Sequence, residues 1–169
     1  MIQKIVLTGG PGTGKSSIIL ALEAKGEYVV RESAEAYIKL RQKQGQPEPW
    51  TEKNFQEKIL ELQTQRESEI PEEAERVYLD RGIADGLAYT EPGNKIYDQT
   101  LAQAKATRYD KVFLVENLGF TEKTSVRQES NAEAIELGNK LEKTYRSLGY
   151  TVERIGLGTV EERVKQVLG

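Results

Sequence analysis

Lys4-Ile5-Val6-Leu7-Thr8 running into Gly9-Gly10-Pro11-Gly12-Thr13-Gly14-Lys15-Ser16-Ser17 is the stretch on which the reading of this chain turns. A β-branched apolar run passes into a glycine-rich turn, and residues 9–16 match G-x-x-x-x-G-K-[ST] at every fixed position. The spacing has a physical reason. Successive backbone N–H groups of Gly10, Gly12, Thr13, Gly14, Lys15, Ser16 and Ser17 must converge on phosphate oxygens, and glycine allows both the backbone angles and the close approach. A helix beginning at the end of the turn adds the positive end of its dipole. The pattern therefore predicts a site for the phosphates of ATP or GTP. Lys15 would lie on the β- and γ-phosphates and the Ser16 hydroxyl on Mg²⁺. A chance match arises on the order of once in a few hundred chains of this length, and a strand before it with a helix after it makes chance rarer still.

Outward from that loop, short apolar runs alternate with longer amphipathic stretches, as in a parallel sheet covered by helices on both faces. Five strands are expected at residues 4–8, 28–31, 76–79, 111–115 and 151–155. The expected architecture is a three-layer α/β/α P-loop fold in strand order 2-3-1-4-5, one domain over residues 1–169. Trp50, Thr51 and Phe55 fit a hydrophobic staple around an N-cap at Thr51, opening a helix that buries Phe55, Ile59 and Leu62 and ends near Ile70. Ser130 with Glu133, and Thr159 with Glu162, fit capping boxes. Ala134, Gly138, Leu141, Tyr145 and Leu148 mark a buried helix face closed by Gly149.

Composition narrows the chemistry. The chain has 169 residues, no cysteine and no histidine, so acid–base work falls to carboxylates, Lys or Tyr, and thiolate chemistry is excluded. A formal net charge of −3 opposes nucleic acid as a main partner. With neither a long apolar run nor a signal-peptide layout, the expectation is a cytoplasmic protein without a membrane span. Nothing in the sequence sets an oligomeric state.

In such a sheet the ligand crevice lies beyond the carboxyl ends of the strands. Asp80-Arg81 follows the third strand, where Asp80 could hold Mg²⁺ through water and Arg81 could meet phosphate; a structural ion pair at the strand end is the plainer alternative. Glu32 follows the second strand, either as proton acceptor for an acceptor hydroxyl or as an acid at a helix N-terminus. Residues 117–128 read as a lid loop whose Lys123 and Arg127 could bring positive charge to a transferring phosphoryl group. Trp50, Tyr89 and Tyr97 could stack on a base or simply pack.

Residues 9–16, Arg31-Glu32-Ser33-Ala34, Asp80-Arg81-Gly82, Val126-Arg127-Gln128-Glu129 and Tyr145-Arg146-Ser147-Leu148-Gly149-Tyr150 together resemble the nucleoside- and nucleotide-kinase branch of P-loop proteins. Within it they are most similar to the kinase domain of NadR-type nicotinamide riboside kinases and their AAA-labelled relatives. The resemblance implies ATP as donor, a small hydroxyl-bearing acceptor, Glu32 or Asp80 at the acceptor hydroxyl or metal, and Arg127 on the lid; with the loop residues this makes Lys15, Asp80, Arg127 and Glu32 the candidate catalytic residues and Ser16 with Asp80 the candidate metal ligands. The competing class is a nucleotide-dependent hydrolase or switch without a small acceptor. A guanine-reading [NT]-K-x-D is lacking, since Tyr97 follows Asn94-Lys95-Ile96, and Ile83 stands where D-x-x-G from Asp80 needs glycine.

Overall fold

The computed structural model describes residues 1–119 and 130–169. Five strands, β1 (Gln3–Thr8), β2 (Tyr28–Val30), β3 (Arg76–Asp80), β4 (Lys111–Val115) and β5 (Val152–Ile155), form one parallel sheet in the order β2-β3-β1-β4-β5. Among the described residues the α-helices are α1 (Lys15–Ala24), α2 (Ser33–Lys43), α3 (Phe55–Ser68), α4 (Lys95–Ala106), α5 (Asn131–Ser147) and α6 (Val160–Leu168). Two 3₁₀ segments, Pro49–Thr51 and Ile83–Tyr89, complete the regular structure. Order and parallelism are those expected from the sequence.

Side chains of a strand point alternately to its two faces, and each face of this sheet is sealed by helices. Ile5, Leu7, Tyr78, Phe113, Val115 and Ile155 pack with Ile18, Ile19 and Leu22 of α1 and with Val164 and Val167 of α6. Val6, Val77, Leu79, Val112, Leu114 and Val152 point the other way, toward Ala104 of α4, Tyr145 of α5 and the 3₁₀ residues Ile83 and Ala84. Both expected capping boxes form, at Ser130 with Glu133 and Thr159 with Glu162.

The staple at Thr51 does not form. Pro49 starts a 3₁₀ turn, the Thr51 hydroxyl donates to the Glu48 carbonyl at 2.7 Å, and α3 begins only after Asn54. The buried face of α3 also differs from the expected apolar one: Phe55 is followed by Gln63 and Glu67, because the C-terminal half of α3 covers polar backbone and tyrosine hydroxyls. Among the described residues no helix is long and apolar enough to cross a membrane.

Helix α5 also shapes the phosphate loop. A Cβ placed on Gly10 would lie 2.2 Å from the Ala134 carbonyl oxygen, so the loop can rest on α5 only without a side chain there. We predict that Gly10→Ala lowers stability by about 1–3 kcal/mol through overpacking, read as a reduced urea midpoint. A midpoint equal to wild type would show that loop and helix do not touch in this way.

Candidate active site

The sheet order assembles the site. In the β1–β3 register Leu7 lies opposite Asp80, and in the β2–β3 register Val30 lies opposite Leu79. The carboxyl ends of β2, β3 and β1 thus lie side by side, bringing together Glu32, Asp80-Arg81 and the phosphate loop, which sequence separation alone keeps far apart.

The loop turns through left-handed backbone at Gly12 (φ 75°) and Gly14 (φ 78°), and Gly14 is the N-cap of α1. From below, Arg163 of α6, only 2% exposed, donates to the Thr13 carbonyl and, at 2.8 Å each, to the carbonyls of Gly156 and Glu116. Composition had hidden this buried arginine inside an amphipathic helix; its only sequence signal is a charge at a position where α6 turns inward. Lys15 is buried, its Nζ donating to the Gly10 carbonyl at 3.1 Å and the Thr13 hydroxyl at 3.3 Å. Burial lowers its pKa to about 8, with the Arg81 charge adding to the effect and Asp80 opposing it. Asp80 is 3% exposed, and its Oδ1 is buried without a hydrogen-bond partner. Burial raises its pKa to about 6 against the pull of the Lys15 ammonium.

A structural ion pair does form at the end of β3, on Arg81 and not on Asp80. Arg81 pairs with Glu32 (Nε to Oε1, 3.1 Å) and Asp85 (Nη1 to Oδ1, 3.2 Å). Glu32 is the N-cap residue of α2, yet its side chain makes no capping bond and turns to Arg81. Asp85 was not singled out in the sequence, although a carboxylate within Ile83-Ala84-Asp85-Gly86-Leu87-Ala88 is conspicuous once that segment is known to be buried. It accepts from the Thr8 hydroxyl at 2.7 Å, the Tyr145 hydroxyl at 2.6 Å, the Gly82 N–H at 3.1 Å, and Arg81. Behind it, Gln63 receives the Ser33 hydroxyl and donates to Glu67 and to the Arg81 carbonyl.

Lys15, Glu32, Ser33, Gln63, Arg81 and Asp85 line one cleft of about 690 Å³. Its floor is the phosphate loop from Pro11 to Ser17. Beyond the loop its lining includes the apolar and aromatic residues Ile38, Trp50, Phe55, Ile59, Leu60 and Tyr89 together with the charged residues Glu32, Glu35, Lys39, Arg81, Asp85 and Glu133. Neither Asp80 nor Tyr97 is part of the lining. Of the expected lid, Asn117 donates to the Pro11 carbonyl at 3.3 Å and Leu118 N–H to the Gly12 carbonyl at 3.1 Å, so its first residues are tied to the phosphate loop. Lys123 and Arg127 lie outside the described residues.

The Lys15 pKa gives a signed pH effect. The ammonium is the form that attracts a polyphosphate, so above about pH 8 nucleotide binding must take up a proton. The Kd for ATP should then rise by up to about tenfold per pH unit, with no rise from this group below that point. Calorimetric titration between pH 7 and pH 10 measures it, and a flat Kd across that range would contradict the placement of Lys15.

Comparison with known proteins follows the same lines. Residues 4–163 match the AAA_28 family, described as an AAA domain. No curated protein sequence matches the chain. Among solved structures, NadR protein in complex with NAD and AMP-PNP is similar at TM-score 0.72 and 12% identity, over 98% of this chain and 48% of that one. The chain thus spans about half the length of NadR. Deoxyadenosine kinase from M. mycoides with bound dATP is similar at TM-score 0.66 and 14% identity, over 98% and 97% of the two chains. Thymidylate kinase from Candida albicans gives TM-score 0.66 and 14% identity, over 99% and 89%. With the match running along nearly its whole length, the chain belongs to the AAA_28 family, and its five-stranded parallel sheet in this order has the P-loop kinase fold.

Proposed function

We propose that the protein transfers the terminal phosphoryl group of ATP to the hydroxyl of a small acceptor, such as a nucleoside or nucleotide-like metabolite. One observation carries this reading: the cleft lining extends beyond the phosphate loop to a second compartment of apolar and aromatic side chains, with the carboxylate Glu32 among the lining residues. A hydrolase or switch needs the loop but has no use for that second compartment. The fold neighbours include a deoxyadenosine kinase and a thymidylate kinase, which supports phosphoryl transfer as the reaction type.

In this reading the backbone N–H groups of Gly10, Gly12, Thr13, Gly14, Lys15, Ser16 and Ser17 hold the donor's phosphates, and Lys15 neutralises charge on the β- and γ-oxygens. Ser16 and Asp80 would hold Mg²⁺. The residues suit it, since Asp80 presents a buried carboxylate oxygen without a protein donor beside Lys15. When bound, the ion neutralises phosphate charge. Glu32 accepts the acceptor's proton as the new O–P bond forms and the bond to the ADP oxygen breaks. Arg81, gripped by Glu32 and Asp85, fixes the direction of the Glu32 carboxylate. Arg127 retains the role that the family resemblance implies, a positive charge for the transferring group.

Screening with ATP·Mg²⁺ and with GTP·Mg²⁺ against nucleosides, nucleotides and related vitamins, with diphosphate release as readout, tests the proposal. Acceptor-dependent release is expected; release that no acceptor accelerates would point to a hydrolase. Lys15→Ala should lower turnover on the order of 10²- to 10³-fold. Glu32→Gln should lower kcat on the order of 10²- to 10⁴-fold while leaving ATP affinity within a few-fold. A Glu32→Gln enzyme with wild-type kcat would remove Glu32 from the reaction. Asp80→Asn should raise the Mg²⁺ concentration needed for half-maximal rate, and an unchanged requirement would remove Asp80 from the metal.

A further inference from the structure

Glu32 and Arg81 are not held by each other alone. Ser33, the residue after Glu32, donates its hydroxyl to Gln63 Oε1 at 2.7 Å, and the Gln63 amide nitrogen donates to the Arg81 carbonyl at 3.3 Å. One side chain of α3 thus ties the start of α2, where Glu32 stands, to the backbone of Arg81. The same nitrogen donates at 2.9 Å to Glu67 Oε1, one helical turn further along α3. That oxygen also accepts from the Tyr109 hydroxyl at 2.9 Å, and the Tyr109 oxygen accepts from the Ile83 N–H at 2.9 Å. Gln63, Glu67 and Tyr109 therefore grip the turn 81–83 at both ends, through the Arg81 carbonyl and the Ile83 N–H.

Packing alone does not explain these residue types. Glu67 is buried, its Oε2 has no hydrogen-bond partner among the described residues, and the Lys4 ammonium stands 3.8 Å from it. A carboxylate so placed costs stability that an apolar residue would not. What Glu67 supplies is direction. A side-chain amide can sit either way round, and an acceptor at Glu67 Oε1 turns the Gln63 nitrogen toward Arg81 and leaves its oxygen for Ser33. Direction matters at Arg81 because its backbone is left-handed, with φ 70°. With its carbonyl released, that residue can relax toward the ordinary region and swing its guanidinium away from Glu32. We infer that Gln63, oriented by Glu67 and Tyr109, is a positioning residue that sets the Glu32–Arg81 pair for proton transfer; the role rests on the phosphoryl-transfer reading of Glu32, while the contacts themselves do not. Gln63 reaches the cleft surface, but both its N–H groups and its oxygen are engaged within the protein, and Glu67 and Tyr109 are not part of the lining. The last two can act on the reaction only through the groups they hold.

The test needs one readout at Arg81 itself and one on the reaction. Arg81 Nε–H, donated to Glu32 at 3.1 Å, should give a slowly exchanging signal in arginine side-chain NMR of the full chain, assigned by its disappearance in Arg81→Lys. ADP release from ATP·Mg²⁺ is measured in parallel, with adenosine, cytidine, guanosine, thymidine and their 5′-monophosphates as acceptors. Gln63→Leu, Glu67→Leu and Tyr109→Phe should each lose the slow signal and lower kcat by about 10- to 100-fold, with acceptor KM and ATP affinity within a few-fold. Glu67→Gln keeps an oxygen for Gln63 and Tyr109, so it should restore both readouts. Tyr109→Phe removes only a hydroxyl, and it decides the matter should a leucine variant fail to fold. An intact Arg81 signal in the variants, a raised acceptor KM at unchanged kcat, or a Glu67→Gln protein as impaired as Glu67→Leu would each overturn the inference. The two readings fail separately. ADP release that no acceptor accelerates in the wild type counts against the transferase reading, and the Arg81 signal still decides this one. Acceptor-dependent release together with an intact Arg81 signal in Gln63→Leu does the reverse.

Discussion

Parallel pairing of β3 between β1 and β2 is the constraint on which the remainder of this molecule depends. The register that sets Asp80 opposite Leu7 and Leu79 opposite Val30 brings three strand ends to one edge. Glu32, Asp80, Arg81 and the phosphate loop all leave the sheet at that edge. The pairing is held by apolar residues on both faces, including Val6, Leu7, Val77, Tyr78 and Leu79, each fully buried. At about 25 cal/mol per Å² of apolar surface removed from water, such residues provide the stability that lets a polar site sit at their ends.

That site carries costs of its own. Arg81 has φ 70°, a left-handed conformation that a non-glycine residue adopts at roughly 1–3 kcal/mol. Its backbone is clamped on both sides, N–H to the Leu7 carbonyl and carbonyl to the Gln63 amide. Its side chain is held by two carboxylates. Asp85 would be expensive to bury unpaired, but four donors from β1, α5 and its own segment meet it. A buried polar network tolerates a low-dielectric setting only when its members are satisfied. The contrast with Asp80 is informative: two carboxylates five residues apart are equally buried, yet one is saturated with protein donors and the other keeps an oxygen without one. The first is a structural anchor and the second is suited to a ligand.

How much of this was legible in the sequence varies with the range of the interaction. The phosphate loop, the five strands and the capping boxes are local patterns, in which neighbours along the chain fix one another's geometry, and they were readable. Glu32 and Asp80 are singled out by the rule that strand ends line the crevice, and the structure puts Glu32 in the cleft lining and Asp80 outside it. The Arg81–Glu32 pair, the Asp85 cluster, Arg163 beneath Thr13 and the polar underside of α3 were not, because each joins residues brought together only by the fold. Trp50 shows the converse: its spacing to Phe55 matched a staple, but Pro49 and the Thr51–Glu48 bond draw that segment into a 3₁₀ turn, leaving Trp50 on the cleft wall.

The central claim is that the saturated Asp85 and the unsaturated Asp80 divide anchoring from ligand binding in a cleft built for phosphoryl transfer. A crystal structure with AMP-PNP and Mg²⁺ tests it most directly. The account predicts the β- and γ-phosphates within the loop, Lys15 Nζ moved from the Gly10 carbonyl to a phosphate oxygen, and Asp80 Oδ1 accepting from water bound to the ion. The Asp85 bonds should be unchanged. A nucleotide bound elsewhere, or an Asp80 satisfied by a protein donor with the ion held by other residues, would contradict it.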